Sequence, residues 1–238
     1  MIPYGRAPKV YSLSETNRGA ERDGTELLIV EGDSAAAALN QIRDPASQAV
    51  LALQGKPLNC KRARPQAILR NPTTARVLET LFEDHWQESL LGAGVSRTEP
   101  SHGKLADRPP IVFDTVCLVM DPDADGIHCS VLMMAFFQRI ATEFIAQGRL
   151  KLIRAPMFLL SATPSMEPVP AMDPHHADSL EQQWRARGYN PIRKRFIRGL
   201  GSLNAELLQR FCMDPRTRVE ETLTPTEVER AVAMFANA

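Results

Sequence analysis

Two short runs of consecutive apolar residues, each stopping abruptly at a cluster of acids, constrain this chain more than any other feature. Leu27-Leu28-Ile29-Val30 stops at Glu31-Gly32-Asp33-Ser34, and residues 35–42 are then rich in helix formers. Residues 116–120 stop at Asp121-Pro122-Asp123-Ala124-Asp125-Gly126, after which Val131, Met134, Phe137, Ile140 and Phe144 recur every three or four positions. Apolar runs of this length suit strands buried on both faces of a parallel sheet, and the later spacing predicts an amphipathic helix. Residues 49–53 are a further strand candidate. Strand, acidic turn and helix, twice over, predict an α/β domain with both turns at the carboxyl edge of its sheet, where such folds hold their ligands. The acids are therefore expected to converge.

The rest of the chain is organised around that unit. A length of 238 residues suits one main domain with an appendage. Residues 1–25 are polar and aperiodic and read as a leader or linker, with the core domain expected over 26–160. In 161–190, Pro164, Pro168, Pro170 and Pro174 are expected to interrupt regular structure and give a linker or long surface loop. Residues 191–238 read as a small helical tail. There Asn204 is placed to cap a helix through Phe211, and Thr224-Pro225-Thr226-Glu227 is a capping box with proline at the first helical position.

Charge is informative only through its distribution, because 28 Lys and Arg balance 28 Asp and Glu. Between Pro45 and Leu78 there is no acid, while Lys56, Lys61, Arg62, Arg64, Arg70 and Arg76 supply cations. A second basic tract holds Arg185, Arg187, Arg193, Lys194, Arg195 and Arg198. Such tracts neutralise phosphates and give sequence-independent affinity for nucleic acid. The longest apolar runs fall far short of the roughly 18 to 20 residues that span a bilayer, and the chain start has no apolar signal core, so a cytoplasmic protein without a membrane partner is expected. Cys60, Cys117, Cys129 and Cys212 form no C-x-x-C pair and are read as reduced thiols without chemistry.

Asp121-x-Asp123-x-Asp125-Gly126 matches the first half of an EF-hand loop, but the twelfth position, a bidentate Glu in that motif, is Leu132, and a strand-like run precedes it where an EF-hand has a helix. Acids crowded at one sheet edge repel each other and are stable chiefly when a divalent cation shares them. Mg²⁺ is the natural candidate, since it takes oxygen ligands and is commonly held by two or three carboxylates together with phosphate oxygens. Glu31, Asp121 and Asp123 would supply that set. On spacing alone a second reading stays open, in which Asp33 and Asp125 cap the following helices and the other acids are solvated.

Glu31-Gly32-Asp33-Ser34-Ala35 and Asp121-x-Asp123-x-Asp125-Gly126-x-His128 resemble the E-G-D-S-A and D-x-D-x-D-G-x-H motifs of the Toprim domain in the B subunits of bacterial type IIA DNA topoisomerases, gyrase and topoisomerase IV. Between them, Gly55-Lys56-Pro57-Leu58-Asn59, Arg62-Ala63-Arg64 and Leu91-Gly92-Ala93-Gly94-Val95 are similar to the family's G-K-x-L-N, K-A-R and L-G-x-G-I. Ala155-Pro156-Met157-Phe158, Arg198-Gly199-Leu200-Gly201 with Asn204, and Met213-Asp214-Pro215-x-x-Arg218 are similar to P-P-L-[YF], K-G-L-G-x-x-N and M-D-P-x-x-R.

The resemblance implies a Toprim, Rossmann-like parallel sheet flanked by helices, with a small helical C-terminal tail. It implies Mg²⁺, with Mn²⁺ as a substitute, held by Glu31, Asp121 and Asp123, with Glu31 also exchanging a proton and Asp125 beside a second metal position. Lys56 and Asn59 would lie along cleaved double-stranded DNA, with Lys61, Arg62, Arg64 and Arg198 as further DNA-binding residues. The implied activity is the metal-supplying half of a topoisomerase cleavage and religation centre, whose nucleophilic tyrosine belongs to a gyrase A-type subunit. No G-x-x-x-x-G-K-[ST] loop is present, so no ATP site is expected in this chain, and a separate chain or domain would carry the ATPase. The family's two glycines after E-G-D-S-A are Ala36 and Ala37 here, its small residue between the first two acids is Pro122, and its serine before the histidine is Ile127. Two other readings stay open: a shortened, non-catalytic paralogue that binds DNA or the gyrase A-type subunit and regulates it, which these departures favour, and a free-standing Toprim metallonuclease that uses water.

Overall fold

The structure is a computed structural model that describes residues 8–14, 23–83 and 111–235. Its centre is the apolar run Glu26–Glu31, strand β2, after the short edge strand β1, Val10–Tyr11. Strand β2 pairs in parallel with β3, Gln48–Leu53, on one side and β4, Thr115–Val119, on the other. Strand β5, Leu150–Ile153, extends the parallel set beyond β4. The sheet is closed by antiparallel edges, β1 against β3 and β9, Glu220–Thr222, against β5, giving the order β1-β3-β2-β4-β5-β9.

Side chains alternate across the sheet, so each strand must be apolar throughout to serve two buried faces. Leu28, Val30, Val50, Ala52, Cys117 and Val119 face α1, Gly32–Asn40, and the segment 200–213. Leu27, Ile29, Leu51, Val116 and Leu118 face α3, Pro72–Phe82, and α4, Ala124–Ile140. Each fully buried aliphatic side chain of this kind contributes about 1.5–3 kcal/mol. The helix α2, Pro65–Arg70, leads into α3, whose N-cap Asn71 accepts from the Thr73 and Thr74 amides. The result is the α/β sheet flanked by helices that the sequence predicts.

The helix α4 differs from its expected form in two ways. It is buried from Cys129 through Phe137 rather than on one stripe, because α8, Pro225–Phe235, covers the side turned away from the sheet with Val228 and Val232. It also ends at Ile140, where Ala141 takes φ −145°, and Phe144 belongs to a separate helix α5, Thr142–Ala146, that brings its ring to 6.1 Å from Phe137.

The stretch expected to be an irregular linker is largely regular. Strand β6, Phe158–Ser161, pairs with β7, Val169–Ala171, and with β8, Arg193–Phe196, in a three-stranded antiparallel sheet. Pro170 is tolerated because β7 is an edge strand. Pro174 starts α6, Pro174–Ala186, rather than breaking it, with Asp173 as N-cap accepting from the His176 amide at 2.8 Å.

The tail is likewise more than helical, since it supplies β8 and the sheet edge β9. Its caps form as expected: Asn204 Oδ1 accepts from the Leu207 amide at the start of α7, Ala205–Leu208, which runs into a π turn, Gln209–Met213. In the capping box of α8, Glu227 accepts from the Thr224 amide at 2.9 Å and Thr224 Oγ1 accepts from the Glu227 amide at 3.3 Å. Ahead of residue 25, where irregular chain was expected, β1 pairs with β3 and Leu13 is buried. Among the described residues no helix is long and apolar enough to cross a membrane.

Candidate functional site

Strand register assembles the acids. Glu31 sits opposite Leu53 and Val30 opposite Val119, so β2, β3 and β4 end at one level and release their following loops at the same edge. Glu31 is the last residue of β2 and the N-cap residue of α1, and its side chain makes no capping bond. Asp121 follows β4, Asp123 is the N-cap of α4 and accepts from the Gly126 amide at 2.8 Å, and Asp125 lies in the first turn. The turn is tight enough that a Cβ on Gly126 would lie 2.1 Å from the Asp121 carbonyl oxygen, so only glycine fits.

Glu31 is the least satisfied of these groups. Its Oε2 is buried and makes no hydrogen bond. Burial raises its pKa, and the negative charges of Asp121, Asp123 and Asp125 raise it further against a smaller opposing effect of Lys56. Burial also holds the Asp121 carboxyl above its ordinary value, with Asp123 adding to the rise and the Leu200 amide opposing it. Asp125 is the opposite case, lowered by its bond and charge contact with Lys56 at 2.8 Å. An orphaned carboxylate oxygen beside further acids is chemically suited to a divalent cation, which would offset the mutual repulsion that raises these pKa values.

The acids nevertheless do not close into a coordination cage. Among the described residues no three of His, Cys, Asp or Glu stand at metal-ligand spacing. Asp123 spends one oxygen on the Gly126 amide, Asp121 spends one on the Leu200 amide at 2.8 Å, and Asp125 is drawn to Lys56. The second reading, with Asp33 and Asp125 as helix caps, is not what the structure shows: Asp123 caps α4, and α1 has no side-chain cap. Asp33 instead accepts from Gln54 Nε2 at 2.6 Å and faces Lys9 at 3.7 Å.

Two contributors were not visible in the sequence. The 3₁₀ turn Leu200–Ser202, from the tail, lies over the acids and supplies the Leu200 amide to Asp121. Arg139, at the far end of α4, donates to the Cys60 and Ala63 carbonyls at 2.5 and 2.7 Å and so holds the loop after β3 that carries Lys56 and Asn59. The resemblance singles out Gly199-Leu200-Gly201, but nothing in the spacing assigns that turn to Asp121.

The basic residues are partly committed. Lys56 pairs with Asp125, Arg76 with Glu79, Arg185 with Glu181, and Lys194 with Asp178. Asn59 Oδ1 accepts from the Lys61 amide at 3.1 Å, so its oxygen stabilises its own turn. Lys61, Arg62, Arg64 and Arg198 are exposed. The motif at residues 91–95 lies outside the described residues.

The chain is similar to known proteins over most of its length. The model of the Toprim domain family matches residues 26–155. Over 201 residues the chain is 32% identical to the B subunit of DNA topoisomerase 4 from Enterococcus faecalis, covering 81% of this chain and 25% of that protein. It is 28% identical over 224 residues to the B subunit of DNA gyrase from Mycolicibacterium smegmatis, covering 92% and 30% respectively. With the corresponding DNA gyrase chain of Thermotoga maritima it shares 29% identity over 214 residues, covering 90% and 30%. The chain thus spans 25% to 30% of the length of these relatives.

Proposed function

The chain belongs to the Toprim family, and from that premise we propose that it is the metal-supplying half of a type IIA topoisomerase-like centre that cleaves and rejoins double-stranded DNA. The observation that carries this reading is the buried, unpartnered Glu31 Oε2 at the sheet edge shared with Asp121 and Asp123. In this reading Asp121 and Asp123 hold Mg²⁺, or Mn²⁺, together with Glu31, and Asp125 stands beside a second position once Lys56 moves to a phosphate. The bound cation would stabilise charge on the attacking and leaving oxygens of phosphoryl transfer. Glu31, at the same sheet edge, would hold or release the proton of the sugar hydroxyl. Lys56, Asn59, Lys61, Arg62, Arg64 and Arg198 would line the path of the DNA backbone. The nucleophilic tyrosine would come from an A-type subunit, the usual source in the enzymes whose B subunits this chain resembles.

The test is a plasmid cleavage assay with the purified chain, Mg²⁺ and the A-type subunit of the same organism. Protein-linked linear DNA is expected after denaturation only when both proteins are present, and none with Glu31→Gln. Cleavage by the chain alone, with protein-free ends, would replace this reading with a hydrolytic metallonuclease. No cleavage by the pair would leave the chain as a binding paralogue.

A further inference from the structure

Gly199 is a glycine that the backbone does not require. Its φ of 178° and ψ of 167° are extended values open to any residue, so conformational freedom does not explain it. Space does. A Cβ at Gly199 would lie 2.6 Å from Asp121 Oδ2, 3.0 Å from Asp121 Cγ and 3.2 Å from Asp121 Oδ1. The next residue donates its amide to Asp121 Oδ1 at 2.8 Å. One residue therefore leaves room for the carboxylate, and its neighbour fixes which oxygen is bonded and which is left free.

The turn is itself held from two sides. Ser202 Oγ donates to the Gly199 carbonyl at 2.7 Å, and Arg195 Nη2, on strand β8, donates to the Ser202 carbonyl at 2.5 Å. Leu200 is fully buried against the sheet face that carries Val30 and Val119, which anchors the turn to the strands that deliver Glu31 and Asp121. Asp121 lies 79 positions before Leu200 in sequence, so this contact has no local cause and exists only because the tail folds back over the acidic edge.

We infer that the turn from Gly199 to Ser202 is a positioning element for Asp121, orienting its carboxylate so that Oδ1 is held by the Leu200 amide and Oδ2 is left for a divalent cation. This rests on the metal reading of the site given above. Arg195 connects the element to the exposed basic strand β8. Residues that orient a metal ligand in this way typically alter metal affinity about 10–100-fold when changed.

The experiment is calorimetric titration of Mn²⁺ into the full chain and its Gly199→Ala variant, alongside thermal unfolding. Asp121 is a short side chain whose far end can swing away from the new methyl, so Gly199→Ala should fold with a melting temperature lowered only by the loss of the Leu200 hydrogen bond. It should bind Mn²⁺ about 10–100-fold more weakly than wild type. Equal affinity in the two proteins overturns the inference and leaves the metal reading standing, whereas a wild type that binds no Mn²⁺ removes the reading beneath it. If Gly199→Ala does not fold, Leu200→Pro and Leu200→Ala decide the matter. Both lose the leucine side chain, but only proline lacks the amide, and the first position of a 3₁₀ turn tolerates its φ. Weaker Mn²⁺ binding by the proline variant supports the inference, and identical binding by the two overturns it.

Discussion

Replacing Arg218 with methionine tests how the tail is tied to the sheet. The Arg218 side chain is fully buried, and its guanidinium commits every N–H it has. Nη2 and Nη1 donate to Glu26 at 2.5 and 3.0 Å, Nε and Nη2 donate to Glu220 at 2.8 and 2.7 Å, and Nη1 also reaches the Met213 carbonyl at 3.1 Å. The one side chain thereby joins β2, β9 and the π turn. Arg218→Met keeps the volume but strands Glu26, whose side chain is 12% exposed, and Glu220, at 25%. Removing one partner of a buried ion pair costs about 3–5 kcal/mol. Gln48 still donates to Glu26 and Lys151 still pairs with Glu220 at 2.6 Å, which places the expected loss at the lower end, about 3 kcal/mol.

At about 2–4 °C per kcal/mol for a chain of this size, the melting temperature should fall by roughly 6–12 °C. Urea unfolding at neutral pH measures the free-energy loss directly, and adding Glu26→Gln to Arg218→Met should recover part of it by removing a stranded charge. A loss below about 1 kcal/mol, or a double variant as unstable as the single, would refute the account of the buried network. The pH dependence has a definite sign. Burial pushes the Glu220 carboxyl up, but Lys151 and Arg218 outweigh it and hold the carboxyl below its ordinary 4.5. A depressed carboxylate contributes its stability in full above 4.5 and loses it as pH falls through the folded value, so the wild type should lose stability below about pH 4.5 more steeply than Arg218→Met.

Thr224→Ala removes half of the capping box and should cost about 1 kcal/mol in urea unfolding. Gly126→Ala forces a methyl against the Asp121 carbonyl and should destabilise by about 1–3 kcal/mol or prevent soluble expression; a neutral result would show that the turn relaxes. Glu31→Gln removes a buried charge repelled by three acids, so it should raise the melting temperature of the metal-free chain while removing Mn²⁺ binding, both read by calorimetry. If the first basic tract contacts phosphates, log K for DNA should fall linearly with log salt, and Lys61→Ala with Arg62→Ala and Arg64→Ala should flatten that slope by up to about three units, roughly 0.9 per contact. An unchanged slope would place the DNA elsewhere.

The sheet was legible because its signal is local. Residues 27–30 and 116–120 must be apolar at every position to serve two cores, and that pattern is unlike a half-exposed strand. The acids were legible for the same reason, since a turn immediately after each strand reports its place at the sheet edge. What the sequence hid depends on distant partners. Prolines mark breaks only on average, and Pro174 and Pro170 sit at a helix start and an edge strand, which is apparent only once their neighbours are known. The strand β9 reads Glu220-Glu221-Thr222, with no apolar alternation, and pairs because Lys151, Arg154 and Arg218 meet its acids. The Leu200 amide on Asp121 carries no side-chain signature at all.

The central claim is that one cation is shared by acids delivered from two strand ends, and titration of Mg²⁺ into the wild type and an Asp121→Asn, Asp123→Asn double variant tests it most directly. Asparagine keeps the cap on the Gly126 amide and the acceptor for Leu200, so the fold is retained while two charges are removed. The account predicts saturable binding by the wild type and none by the double variant. Equal binding by the two proteins would contradict it.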